Sequence, residues 1–491
     1  MPKKILELFI VCLILFAGIW LATSVVTLQV YLQIFGLIAI VVLAVIYLSF
    51  RKVPMDCKII CSLILGYAFA GKGFAYITPV EPFYIGEIVW CIGALGLFYR
   101  FTKGVPLFSN KYNIIIFLWM VTVGIFLFTS YETYGVLAIR DSAIGYYAMF
   151  AFYGYAIFLR NDIDRFFGNV LKISIFLACI SFLILITGAY DKIGTIGILK
   201  YIFFPHGDAY LPLIAAGAMY GLLEGIRLKS VLRIAAGLAL VMILFLSKTA
   251  GIFSFFVLAI YMIVIGRRTD LILTTTVAAL LAAIALGIVV ALGSAESNKW
   301  LMENEHLQTF VVGDTRYNSN ENTTSWRIAW WEIIYKDTLR ENPLFGLGLG
   351  GDISSHFLKS CMRLDLNSEE ALNYARYPHN ILFNVFGRMG FIGLSIFTIL
   401  LTTIAGLLIR TTRLQTRDTE DSGKTVLLAQ LIVIAGIANG LVQATYEIPY
   451  GAITHWYCLG YLISYYQKKR RMAVQFTPQK SAAHSEVKAI R

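Results

Sequence analysis

The feature that most constrains this chain is the recurrence of apolar runs about 20 residues long. They begin near residues 5, 28, 57, 82, 112, 142, 168, 208, 231, 249, 271, 379, 426 and 447. In hydrocarbon, where no backbone N–H or C=O can be left unpaired, such runs form helices. About fourteen spanning helices are therefore expected, which makes the fold class an all-α polytopic membrane protein. The weakest runs are 57 to 77, interrupted by Gly71-Lys72-Gly73, and 447 to 466. Composition enters only as a check. Hydrophobic types make up 58% of the 491 residues and charged types 14%, against about 25% charged in a globular chain. A soluble protein is excluded, and the net charge of +12 has to be read loop by loop before any nucleic-acid partner is inferred from it.

An even number of spans puts both termini on one side. With Lys3 and Lys4 inside, alternate turns carry Arg51/Lys52, Arg100/Lys103, Arg160/Arg165, Arg227/Lys229, Arg267/Arg268 and Arg410/Arg413/Arg417, and the tail carries Lys468-Lys469-Arg470-Arg471. Most of the 41 Lys and Arg then lie inside, as the positive-inside rule requires. The charge is mostly a topology signal and points to the lipid bilayer, with no nucleic acid as partner. Residues 1 to 24 have the outline of a signal peptide but lack a small-residue cleavage site, and they read as an uncleaved first span. The seven cysteines are scattered and give neither a disulfide framework nor a metal cluster.

One region breaks the rhythm of spans and short turns, the outer segment from about 294 to 376. A connection of that length is usually functional or disordered, and its aromatic patterning argues against disorder. Thr324-Ser325 offers an N-cap for a helix through 326 to 340 that ends before Asn342-Pro343. Trp326, Trp330 and Ile333/Ile334 share one face, and Arg327, Trp331 and Tyr335 form a second stripe at i, i+4, i+8. Its tryptophans suit an amphipathic helix at the headgroup level, so packing and interfacial roles are open beside a chemical one for Arg327. Next come Gly346, Gly348, Gly350 and Gly351. Gly346, Gly348 and Gly351 match G-x-G-x-x-G only formally, since no βαβ unit is expected, and the stretch reads as a flexible glycine turn whose N–H groups could cradle an anion.

The chain then enters the twelfth span through Arg376-Tyr377-Pro378-His379-Asn380. A helix beginning there presents N–H donors and partial positive charge to the outside, and a neutral histidine at that place suits a general base. At 100° per residue, His379, Phe383, Phe386, Gly390 and Gly393 fall on one face. Gly387, Gly390 and Gly393 would let a neighbouring span approach. Arg388, about 13 Å deeper, needs a partner in protein or water. Arg140-Asp141 and Lys248 bring further charge to the outer surface, either as headgroup anchors, with Asp141 a helix cap, or as part of a diphosphate site.

His379-Asn380, nine residues, Gly390, two residues and Gly393 resemble the H-N-x9-G-x-x-G signature of the bacterial O-antigen ligase and polysaccharide polymerase superfamily. Arg327 through Asn342-Pro343-Leu344-Phe345-Gly346-Leu347-Gly348 is similar to the stretch leading from that family's arginine to its P-x-x-G-x-G turn. The resemblance covers about 324 to 394. Beyond it, the likeness is of architecture, many spans and one large late periplasmic loop. Where the family carries arginine in R-x3-L, this chain has Lys248 followed by Ile252, and lysine cannot form arginine's bidentate fork. About fourteen spans, rather than the twelve typical of the family's ligases, lean towards its polymerases.

The resemblance implies the following expectations. The chain divides into transmembrane helices 1–11 (residues 1–293), a periplasmic loop with an amphipathic helix and a Gly-rich turn (294–376), helices 12–14 (377–466) and a basic cytoplasmic tail (467–491). It sits in the bacterial inner membrane with both termini cytoplasmic. It is an inverting, metal-independent glycosyltransferase without a cofactor. It moves glycan from an undecaprenyl diphosphate carrier to an acceptor glycan or to lipid A-core, with a chain-length regulator as a further partner. His379 and Arg327 are catalytic, Arg140, Lys248 and Arg376 bind diphosphate, and Trp331 and Tyr335 contact glycan. Asp141, Asp208 and Glu447 compete with His379 as base, because carboxylates usually serve in glycosyl chemistry. A transporter is the reading from another class, suggested by charges at Lys72, Glu87 and Arg388, but the chain lacks the internal symmetry that it predicts.

Overall fold

The computed structural model describes residues 52–75, 77, 84–186, 207–245, 249–266, 309–312, 315–318, 323–353, 378–415 and 421–475. In chain order the elements are α1 (Met55–Ala75), α2 (Ile85–Thr102), α3 (Lys111–Tyr134), α4 (Val136–Asp141), α5 (Ala143–Tyr146), α6 (Met149–Arg160), α7 (Asp164–Ile186), α8 (Gly207–Arg227), α9 (Val231–Phe245), α10 (Thr249–Val264), β1 (Thr309–Val312), β2 (Thr315–Asn318), α11 (Thr323–Glu341), α12 (Ile381–Gln415), α13 (Asp421–Gly440) and α14 (Pro449–Gln475). Among the described residues, seven helices are long and apolar enough to cross a membrane. The runs expected near 5, 28 and 271 lie outside those residues.

The helix starts follow the apolar runs closely, and three local differences have physical causes. The sixth run is a chain of short helices, α4, α5 and α6, broken near Ser142 and Tyr147. The weak third run is a helix with a kink at Gly71, whose φ of 58° belongs to glycine's range. The structure is helical as expected apart from one short hairpin. β1 and β2 pair antiparallel, Thr309 opposite Asn318 and Val312 opposite Thr315. Thr-Phe-Val-Val and Thr-Arg-Tyr-Asn carry the β-branched and aromatic residues that favour strands.

The core runs between α6 and α14. A Cβ on Gly460 would meet the Ala151 carbonyl oxygen at 2.1 Å, and one on Gly154 would meet that of Tyr457 at 2.6 Å. Backbone therefore lies against backbone there, as small residues allow between helices in a membrane. Elsewhere the outward faces are apolar, with Phe128 on α3 83% exposed, a surface suited to lipid rather than water.

Helix ends gather at the two ends of this bundle. At one, Asp56 pairs with Arg100, Arg160 donates to Lys103 O at 2.6 Å and Lys468 meets Asp162 at 2.9 Å. At the other, the end of α3, the 342–353 turn, the start of α12 and the 441–448 connection between α13 and α14 come together.

Candidate active site

Asn380 starts α12 by capping it. Its Oδ1 accepts from Leu382 N at 2.9 Å and from Phe383 N at 3.3 Å, and its carbonyl accepts from Asn384 N at 3.0 Å. The expectation of open N–H donors at this end is corrected accordingly, because an anion would compete with a built-in cap. His379 precedes the helix with a φ of 54°, a left-handed conformation that is uncommon for a residue with a side chain. It does not share a helical face with Phe383 and Phe386. Its Nδ1 lies 2.9 Å from Gln443 Oε1. With the amide oxygen accepting, Nδ1 carries the proton and Nε2 holds the lone pair, the tautomer that a general base requires.

Helix α11 begins at Thr323, so Thr324 and Ser325 lie in its first turn rather than ahead of it. Trp330, Ile334 and Thr338 are buried on one face, and Trp330 Nε1 donates to Ile353 O at 3.0 Å. The second stripe does not stand open. Trp331 stacks on Phe383 with centroids 5.3 Å apart and 9° between planes, and its Nε1 donates to Pro378 O at 2.6 Å. Tyr335 reaches Phe386 at 5.9 Å and remains exposed. Arg327 Nη1 donates to Val442 O at 3.1 Å. Trp331 thus fixes the backbone immediately before His379, while Arg327 and His379 are anchored to adjacent residues of one connection.

The signature glycines mark a joint. Gly390 has φ 57° and ψ −155° and breaks α12. The groups released are taken up by the glycine turn: Leu347 N donates to Gly387 O at 2.8 Å and Gly348 N to Arg388 O at 3.0 Å, while Phe391 N donates to Pro343 O at 2.9 Å and Ile392 N to Leu344 O at 3.2 Å. A Cβ at Gly390 would sit 2.4 Å from Leu344 backbone, and one at Gly346 would sit 2.5 Å from that of Arg388 and Met389. The turn is therefore docked rather than flexible, and Gly390 admits the turn, not a neighbouring span. Gly387 admits α11, since a Cβ there would lie 2.8 Å from Ile334.

Below His379 lies a buried polar chain. Glu447 Oε1 accepts from Asn384 Nδ2 at 2.7 Å, Asn384 Oδ1 accepts from Arg388 Nε at 2.8 Å, and Arg388 pairs with Asp141. Gly350 N donates to Asp141 Oδ2 at 2.9 Å, and Arg388 Nη1 donates to Gly351 O at 3.2 Å. Arg388 and Asp141 are each 2% exposed, so neither charge could remain ionised there without the other. Asp141 ends α4 and serves Arg388 instead of capping a helix. Burial pushes the Glu447 carboxyl up to about 7. Glu87 is likewise held, with Tyr147 and Tyr146 hydroxyls donating at 2.8 and 3.2 Å. Two of the three charges that suggested a transporter, Arg388 and Glu87, thus have fixed partners.

Of the residues singled out in the sequence, His379, Arg327 and Trp331 come together, with Tyr335 farther along α11. Arg140 stands exposed on α4, tied to this end through its neighbour Asp141. Lys248 and Arg376 lie outside the described residues. Asp208 is in the first turn of α8. Gln443, Val442 and Asn384 were missed. Gln443 and Val442 belong to no motif, and Asn384 is distinguished only by being polar, one turn after the cap.

Comparison with known proteins places a family on this geometry. Residues 234–398 match the family described as O-antigen ligase, which supports the resemblance to the O-antigen ligase and polysaccharide polymerase superfamily. The matched stretch holds Arg327, the glycine turn, His379 and the joint, but neither Asp141 nor the 441–448 connection. No curated protein matches the chain.

Proposed function

We propose that this chain is a membrane glycosyltransferase of the bacterial inner membrane, active on the periplasmic face, that transfers a glycan from an undecaprenyl diphosphate carrier to an acceptor hydroxyl, polymerising the repeat units of a surface polysaccharide. The observation that carries this reading is the joint anchoring of His379 and Arg327 by Gln443 and Val442. His379 Nε2 takes the acceptor proton as the hydroxyl oxygen attacks the anomeric carbon. The bond from that carbon to the diphosphate oxygen breaks with inversion, and its electron pair leaves on the diphosphate. Arg327 meets the charge that grows there. A guanidinium carries five donors, and the one used on Val442 O sets its plane before substrate arrives, which is the preorganisation that electrostatic stabilisation needs. Arg140, Lys248 and Arg376 hold the diphosphate, and the exposed Tyr335 offers a ring to a sugar face. Trp331 acts on this reading mainly by setting Pro378.

The second reading, transfer of a finished chain to lipid A-core, is favoured by the description of the matched family as a ligase. Product size in a strain lacking the gene separates the two: single-unit glycans indicate a polymerase and long unattached chains a ligase. Purified His379→Asn and Arg327→Ala proteins, supplied with lipid-linked glycan, test the chemistry. Asparagine tolerates the left-handed backbone, so the His379→Asn protein should fold and transfer at least about 100-fold more slowly. Near-normal rates in both variants would overturn the assignment.

A further inference from the structure

Glu447 is the odd charge of the buried chain. It is 4% exposed, and while Asn384 satisfies Oε1, Oε2 is buried with no hydrogen-bond partner. The groups that face it are Asn384 and Arg388 on α12, Tyr446 on its own connection with its hydroxyl 3.0 Å from His455 Nε2 of α14, and, through Arg388, Asp141 of α4. The only cation among these, Arg388, is already neutralised by Asp141. With Glu447 protonated the chain is neutral. With Glu447 ionised it carries one uncompensated buried charge and an oxygen without a donor, which is costly inside a protein. Relief requires moving Oε2 towards water, and the segment that moves carries Gln443 and Val442.

Resting on the assignment of His379 and Arg327 made above, we propose that Glu447 is a positioning residue that works as the neutral acid, holding the 441–448 connection in the shape that anchors His379 and Arg327, and that its ionisation releases them. The carboxyl's rise to about 7 puts that release just above neutrality. The direction for stability follows from linkage. Between the unfolded value near 4.3 and about 7, the fold keeps the proton and the unfolded chain loses it. The contribution is therefore fully present below about pH 4 and lost as pH rises through 7.

The experiment compares full-length protein and Glu447→Gln in lipid nanodiscs. Glutamine reproduces the neutral acid at every pH, with an acceptor for Asn384 and a donor where the acid has its O–H. The unfolding midpoint of the unaltered protein should fall from pH 5 to 8 while that of Glu447→Gln falls less. Hydrogen exchange of 441–448, corrected for its intrinsic pH dependence, should accelerate above pH 7 only in the unaltered protein. Its transfer rate should drop about tenfold between pH 7 and 8.5, with the variant holding its rate. Parallel midpoint curves, or equal exchange in the two proteins, would overturn the proposal whatever the transfer assay gives. A folded Glu447→Gln that is inactive at every pH would also overturn it, because an ionisable carboxyl would then be required. If the unaltered protein transfers nothing, the proposed function fails, and the midpoint and exchange arms still decide for or against the release at Glu447.

Discussion

At the His379 end of the bundle, charged groups are buried and shared along a chain of side chains. At the opposite end they meet in separate pairs, from the half-buried Asp56 and Arg100 to the outermost, Lys468 and Asp162. Arg388 and Asp141 are both 2% exposed and linked on either side to Asn384 and the glycine turn, whereas Asp162, paired with Lys468, has a side chain 98% exposed. A charge at a water-facing helix end needs little help, and surface pairs contribute about 0–1 kcal/mol. A buried charge persists only where its surroundings compensate it, so the interior chain marks where this protein has committed polar groups at a cost. The comparison separates charge that meets water at a helix end from charge that is held inside the protein.

Substitutions at the two ends should differ by an order of magnitude, and the largest effect is at the interior pair. Arg388→Met strands Asp141 and should cost about 3–5 kcal/mol, read as a fall in the thermal unfolding midpoint in nanodiscs. Adding Asp141→Asn should recover part of that loss. An equally small effect from Arg388→Met and Lys468→Ala would erase the distinction. Next comes Gly390→Ala, which forces a side chain into a backbone conformation costing about 1–3 kcal/mol, with the clash against Leu344 added. Proteolytic cleavage within 342–353 should become faster. Trp331→Phe keeps the stacking surface but removes the hydrogen bond to Pro378, about 1 kcal/mol. Transfer should slow several-fold with the midpoint nearly unchanged. The smallest effect belongs to the exposed pair. Lys468→Ala should move stability by at most about 0.5 kcal/mol and return the Asp162 carboxyl, which Lys468 now holds below its ordinary range, towards that range. The pair's contribution is present above the unfolded carboxyl value and disappears as pH falls through the lowered one, so a titration by NMR checks both sign and size.

What the sequence discloses differs between the ends for a related reason. The helix positions among the described residues were legible because apolar runs of about 20 residues favour helices in hydrocarbon. α11 and the start of α12 just after Pro378 were legible because periodicity and proline's preference for helix starts are local, whereas both cap readings failed. The face assigned to His379 failed because a left-handed residue and a cap separate it from the helix whose periodicity was used. The glycine turn read as flexible because its partners are main-chain groups of α12, which leave no side-chain pattern. Arg388 announced its need for a partner, but Asp141, 247 positions away, carried no sign of being it. The 441–448 connection was the least visible. It holds Arg327 through a carbonyl, which any residue at Val442 would supply.

The joint between α12 and the glycine turn also turns the nine-residue gap in the signature into a ruler. From the Asn380 cap to the break at Gly390 the helix must deliver Asn384 to Glu447 and Arg388 to Asp141 while ending where Leu344 waits. One residue more or fewer would advance the break by about 1.5 Å and rotate it by about 100°, and every one of those meetings would be missed together. The side chains of Leu344, Phe345 and Leu347 can vary within that gauge, because the splice is sewn with backbone. The length of the gap cannot.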